Sequence, residues 1–269
     1  MIGSSKPPLW NWSWGSCLAA KTGLPQPQFF APLWEGAGAR TTDIAGCRTG
    51  TLTGAVWSGS RGGTAVAHLA ITDRVNFGDA TRILPVKNCT ILLGYQKRDT
   101  TLRASSALGV TSNPANGACG VHLPYNDGVA YWDFKTTTVG DGRLTASGLT
   151  YGNDFWAFTI GTRGQEIWQN GVLRASNATN VTRTASSNDW QLGTHNTIDS
   201  DLANYWMVAV FHQQLPQDQI KLISAMPFIY HCRASQTALL TLQAGHPAMR
   251  RWAGIKHMPS GVFQAGRGW

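Results

Sequence analysis

The stretch HLPYNDGVAYWDF, His122 to Phe134, sets Asp127 and Asp133 six residues apart among aromatic side chains, with a histidine just upstream. Two carboxylates and an imidazole are the residue types of acid–base chemistry, and two carboxylates facing one sugar bond are the machinery of glycoside hydrolysis. The dipeptide Asp127-Gly128 gives the same residues a plainer reading. Asp-Gly supplies the backbone of a two-residue hairpin turn, after which Val129, Tyr131 and Asp133 point one way and Ala130, Trp132 and Phe134 the other. Asp127 is then a turn residue and Asp133 a strand-face residue, with no chemistry required of either.

Other chemistries find less support. The chain has only two glutamates, Glu35 and Glu166, far apart and in no Glu-x-Asp-x-Glu-like spacing, so a retaining sugar hydrolase is disfavoured. No Gly-x-Ser-x-Gly elbow marks an activated serine, and the Gly-rich pieces at 59–63 and 266–269 lack the Lys-Ser/Thr of a phosphate loop. Histidines 68, 122, 195, 212, 231, 246 and 257 never fall at HxH or HxxxH spacing. Cysteines 17, 47, 89, 119 and 232 form no CxxC and are odd in number, which reads as free thiols. The expectation is therefore a chain that is not an enzyme, with no metal site and no cofactor.

The elements that must position these residues read as strands. Of 269 residues only 13% are charged, against 30 glycines and 12 tryptophans, a balance that suits short strands and turns better than helices. From Phe29 to Phe228 apolar runs of strand length alternate with turn signals, including the Asn170-Gly171 hairpin pair. NYWMVAVF, 204–211, is apolar on both faces and so belongs to a central, doubly covered strand. LPQDQIKLISAM, 215–226, reads as the one core helix, with Pro216 at its first position and Ile220, Leu222 and Ile223 on its apolar side. The expected fold is all-β: a two-sheet antiparallel β-sandwich with one short helix, spanning 29–228 between a Trp-rich arm, 1–28, and a basic extension, 229–269.

The two ends differ from the core. Trp10, Trp12 and Trp14 recur at period two after a Pro pair, and a Trp-rich arm is better placed against a partner than in water. The formal charge of +8 is concentrated at the other end, where six bases and no acid follow Asp218. Arg250, Arg251 and Trp252 there are the second candidate docking group, for an acidic protein surface rather than for nucleic acid, since no RNA-binding or helix-turn-helix signature accompanies them. No apolar run approaches membrane-spanning length, and the first residues show no apolar leader core, so neither membrane nor export is expected and the sequons at Asn88, Asn177 and Asn180 read as chance.

The blocks DIAGCRTGTLTGAVW (43–57), HLPYNDGVAYWDF (122–134), WAFTIGTRGQEIWQNGVLRAS (156–176), WQLGTH (190–195) and YWMVAVFHQQLPQDQIKLI (205–223) resemble successive parts of the concanavalin A-like, laminin G-like jelly roll. The version with the HLPYxDGxxYWDF block is similar to virion structural proteins of tailed bacteriophages. That resemblance implies a capsid decoration or tail-fibre component, homo-oligomeric, assembled in the host cytoplasm and attached to other virion subunits through its terminal arms. No acidic pair stands where calcium-binding laminin G domains hold their metal. The alternative is a lectin-like module binding a glycan, such as one on a host surface, by stacking it on Tyr125, Tyr131 or Trp168 at the hairpin ends.

Overall fold

The computed structural model describes residues 18–60, 63–112, 115–194 and 199–230. They form two antiparallel sheets of eight strands each, packed face to face. The first sheet runs β15 (Val172–Asn177), β14 (Gly164–Gln169), β13 (Asn153–Gly161), β7 (Cys89–Lys97), β18 (Ala203–Phe211), β5 (Gly63–Ala67) and β4 (Val56–Ser60), with β1 (Phe29–Ala31) also pairing β18. In the second, β12 (Arg143–Ala146), β11 (Ala130–Lys135), β10 (Ala118–His122) and β9 (Leu108–Val110) precede β16 (Asp189–Leu192), β6 (Arg74–Asp79), β3 (Arg48–Thr53) and β2 (Arg40–Asp43). A small parallel pair, β8 (Ser105–Ser106) and β17 (Asp199–Ser200), closes one end.

Alternation dictates the layers. Trp132 and Phe134 of β11 face Trp156 and Phe158 of β13 across one continuous core, and Trp190, Phe77 and Phe29 form a second aromatic group within it. Each large ring removed from water contributes about 2–3 kcal/mol, so these side chains dominate the stability of the layer. The Trp132 indole N–H donates to the Thr159 carbonyl at 3.2 Å, which satisfies the one polar atom such a ring buries. As expected, β18 is buried along its whole length; on the face turned away from the core Trp206 meets Phe228 and Phe211 meets Tyr230, both from the chain that follows α2 (Gln217–Ala225). Gly94 of β7 is what lets the Trp206 ring lie against that face: a Cβ there would sit 2.2 Å from the indole.

Three details differ from expectation. Pro216 is the residue before the helix rather than its first member, and a four-residue helix, α1 (Leu18–Lys21), and a 3-10 turn, Ala80–Arg82, add to it. Asn170 and Gly171, at φ 51° and 78°, do form the two-residue turn between β14 and β15. Asp127-Gly128 does not. β10 and β11 separate at the pair His122–Tyr131, and residues 123–129 form a wider loop in which only Gly128 has positive φ. That loop is closed by Tyr125 N donating to Val129 O and Gly128 N to Tyr125 O, both at 3.0 Å, and it contains a cis Leu123–Pro124 bond.

Candidate functional site

Five chain segments gather at the end of the sandwich that the 123–129 loop occupies. Tyr151 OH donates to Gly128 O, Lys97 N to Gly152 O, Arg98 N to Leu202 O and Ser200 N to Ile71 O, which ties the segments near 70, 98, 126, 151 and 201 together. Leu69, Ile71 and Leu102 are exposed here.

The aromatic centre of this end comes from the opening stretch. Tyr125 and Tyr131 are both half-buried, and their rings meet edge to face at 5.8 Å, each also against His122. Tyr131 alternates outward from Trp132, as a strand requires, while the wide loop brings Tyr125 back over it. On the next strand Arg143 stands opposite Asp133 and grips it with two parallel hydrogen bonds, Nε–Oδ1 at 2.6 Å and Nη2–Oδ2 at 2.7 Å. Its guanidinium carbon lies 4.6 Å from the centre of the Tyr131 ring. The other acid, Asp127, accepts from Val129 N and from the Tyr131 hydroxyl. That hydroxyl bond, with burial and the Asp127 charge, pushes the Tyr131 phenol up to about 12. Burial alone would raise Asp127, but the Tyr131 hydroxyl, the Val129 amide and the Arg143 charge outweigh it and hold the carboxyl below its usual range. The acids are thus a loop residue and a strand-face residue, and both brace the tyrosine pair.

Behind the pair lies a buried polar layer. Tyr95 OH reaches the Leu123 carbonyl and the Asp201 carboxylate, and Asp201 also takes Lys97 Nζ at 2.9 Å. Nearby, His68 Nδ1 meets Ser200 Oγ at 2.6 Å, and the His68 and Tyr205 ring centres are 4.7 Å apart. Fully enclosed, His68 has its pKa drawn down from 6.5 to about 3 by burial, with Asp73 opposing and Arg74 adding to the shift. These contacts fix the loop from which Tyr125 projects.

Of the three tryptophan and tyrosine positions expected to stack on a sugar, the structure brings Tyr125 and Tyr131 together and removes Trp168. That indole is 2% exposed in the other sheet, its N–H bonded to Glu166 Oε2 at 3.1 Å, so it has no face to offer. The expectation failed because β14 is covered on its outer side by the chain around α2, whose Gln217 also bonds Glu166. Glu35 is bonded to Thr41 and Thr42 of β2, so the two glutamates serve different sheets. Arg143, which sequence reasoning missed, is the strongest polar element of the site; its signal was an Arg ten residues after Asp133, across a Gly-rich turn. Trp10, Trp12, Trp14, Arg250, Arg251 and Trp252 lie outside the described residues, as does His195. Among the described residues no three His, Cys, Asp or Glu side chains gather in a metal-holding group, and no helix is long and apolar enough to cross a membrane.

No family model and no curated protein sequence matches the chain. Solved structures do. Trypanosoma rangeli sialidase in complex with sialic acid superposes with a TM-score of 0.55 at 13% identity, over 75% of this chain and 33% of the sialidase chain. Domain 4 of a GH43 extracellular arabinanase from Geobacillus stearothermophilus, in complex with arabinotriose, gives 0.54 at 14% identity, over 68% of this chain and 92% of the domain. The receptor-binding domain of botulinum neurotoxin type G gives 0.54 at 12% identity, over 76% and 52%. The chain thus spans about a third of the sialidase it matches.

At these identities the likeness establishes the fold, a β-sandwich shared with parts of glycosidase chains. The expectation of a chain that is not an enzyme is contradicted by that company. None of these neighbours is a virion protein, so the phage link draws no support from them.

Proposed function

We propose that this chain is a carbohydrate-binding β-sandwich of a carbohydrate-active protein, holding a sugar against Tyr125 and Tyr131. The observation that supports it most is the pair itself: two half-buried tyrosines fixed edge to face, with the Arg143 guanidinium over one face of Tyr131 and the Asp127 carboxylate at its hydroxyl. Aromatic faces accept the apolar face of a sugar ring, and the charged groups around them hydrogen-bond its hydroxyls. The fold likeness to an arabinanase domain over nearly its whole length, in a structure containing arabinotriose, points the same way.

The test is a glycan panel that includes arabinotriose and sialic acid, read by titration calorimetry with the full chain. Replacing a central aromatic anchor removes about 2 kcal/mol, some thirtyfold in affinity, so Tyr131→Ala weakens the best ligand by that order while the fold remains intact. Binding that ignores both Tyr131→Ala and Tyr125→Ala moves the sugar elsewhere. Display on a virion is a second reading and rests on the phage-like sequence blocks alone; mass spectrometry of purified particles from the source, finding the chain absent, sinks it.

A further inference from the structure

The loop that carries Tyr125 also carries an exposed acid. Asp127 uses each carboxylate oxygen once, Oδ1 accepting from Val129 N at 3.0 Å and Oδ2 from the Tyr131 hydroxyl. An ionised carboxylate offers about four lone-pair positions, so each oxygen keeps an acceptor position for a further donor. Burial works against ionisation, yet those same two bonds hold the carboxyl below its usual range, and the group is anionic at neutral pH.

The bases described at this end are matched to other groups. Arg143, over Tyr131, is gripped through Nε and Nη2 by the enclosed Asp133. Lys97 lies 2.9 Å from Asp201 and 3.5 Å from Asp99, and Arg103 lies 2.6 Å from Asp99. Arg98 Nη1 donates to Asn204 Oδ1 at 2.9 Å. Ala203 and Tyr205 on either side of Asn204 are core residues, so that guanidinium stands on the outer face of the first sheet. Tyr131, between the core residues Ala130 and Trp132, stands on the outer face of the second. Tyr151, which donates to Gly128 O, reports the resulting field: burial first, and then the charges of Asp127, Asp154 and Asp201, raise its phenol.

We infer that the tyrosine pair selects a neutral sugar, whose adjacent hydroxyls donate to the two oxygens of Asp127, and discriminates against sugars that carry a carboxylate. Hydroxyls on neighbouring ring carbons match the paired oxygens of a carboxylate, and a hydrogen bond to a charged acceptor is about twice as strong as one between neutral groups. A sugar carboxylate brought to the same place meets the like charge of Asp127, while the guanidinium over Tyr131 is already engaged by Asp133. This inference rests on the carbohydrate reading and narrows it to neutral glycans, with Asp127 as the residue that sets the preference.

The experiment titrates the full chain with neutral probes, arabinotriose, cellotriose and mannotriose, and with acidic ones, sialic acid and the uronic-acid trimers of the cellotriose and mannotriose backbones. It is run at pH 8, where histidine side chains are ordinarily neutral. The best neutral probe should bind at least about tenfold tighter than every acidic one. Asp127→Asn, which keeps the shape of the side chain without its charge, should weaken that neutral probe by roughly tenfold and narrow its lead over the acidic ones. An acidic probe bound as tightly as the best neutral one overturns the inference, and so does neutral binding that Asp127→Asn leaves unchanged at the wild-type melting temperature. The comparison of probes needs only the wild-type chain, so it decides the question should the variant not fold. In either case a continued loss on Tyr131→Ala leaves the tyrosine site standing, whereas failure of every probe and of the whole panel to bind overturns both.

Discussion

Removing His68 should reshape the pH dependence of stability. The ring is fully enclosed, bonded to Ser200 Oγ and tilted against Tyr205 at 4.7 Å, and burial, with Asp73 opposing and Arg74 assisting, lowers its pKa from 6.5 to about 3. Between those values the unfolded chain binds a proton that the folded chain refuses. Stability from this residue is therefore complete above pH 6.5 and is lost as the pH falls toward 3, at up to about 1.4 kcal/mol per unit. Going from pH 7 to pH 4.5, the loss assigned to His68 is about 2.5 kcal/mol. His68→Asn retains a hydrogen-bonding group for Ser200 but has nothing to titrate. Urea denaturation of both proteins at the two pH values isolates the effect, because the carboxylates they share cancel in the difference. The variant is expected to be less stable than wild type at pH 7 and to recover about 2.5 kcal/mol of that gap at pH 4.5. A gap that stays constant, or widens in acid, refutes the assignment of a buried neutral histidine.

Further outcomes follow from the same contacts. Arg143→Ala leaves the enclosed Asp133 carboxylate without its bidentate partner and should cost about 3 kcal/mol in chemical denaturation, with Arg143→Lys recovering only part of it. Gly94→Ala places a methyl 2.2 Å from the Trp206 indole and should destabilise by about 1–3 kcal/mol, more than alanine costs at the open position Gly152. Cys89 and Cys119 are both enclosed, and burial raises both thiols, Cys119 to about 11, whereas Cys47 is exposed. Thiol labelling mapped by peptide mass should therefore modify Cys47 in the native protein and reach Cys89 and Cys119 only in denaturant.

The layers were legible because they depend on a local rule. Alternation in 130–134 and the doubly apolar run at 204–211 assign faces without knowledge of partners, and both hold. The 123–129 loop was not legible for the opposite reason. Asp-Gly is a local turn signal, but the register that parts the strands at His122 and Tyr131 is set by which rings pack across the sandwich, and that is a long-range fact. Trp168 failed in the same way: strand and hairpin were read correctly, while the cover over its outer face comes from a segment some fifty residues later. The Arg143–Asp133 grip needed strand order, which no single stretch contains. Tyr125 and Tyr131 were named from sequence as aromatics at a hairpin end; that they meet edge to face at 5.8 Å is what the fold adds.

The most direct test of the carbohydrate account is titration of the wild-type chain and its Tyr131→Ala variant against the panel containing arabinotriose and sialic acid. The account predicts saturable binding of at least one glycan by wild type and a loss of roughly thirtyfold in the variant at unchanged melting temperature. Absence of binding to every glycan, or equal affinity in the two proteins, contradicts it.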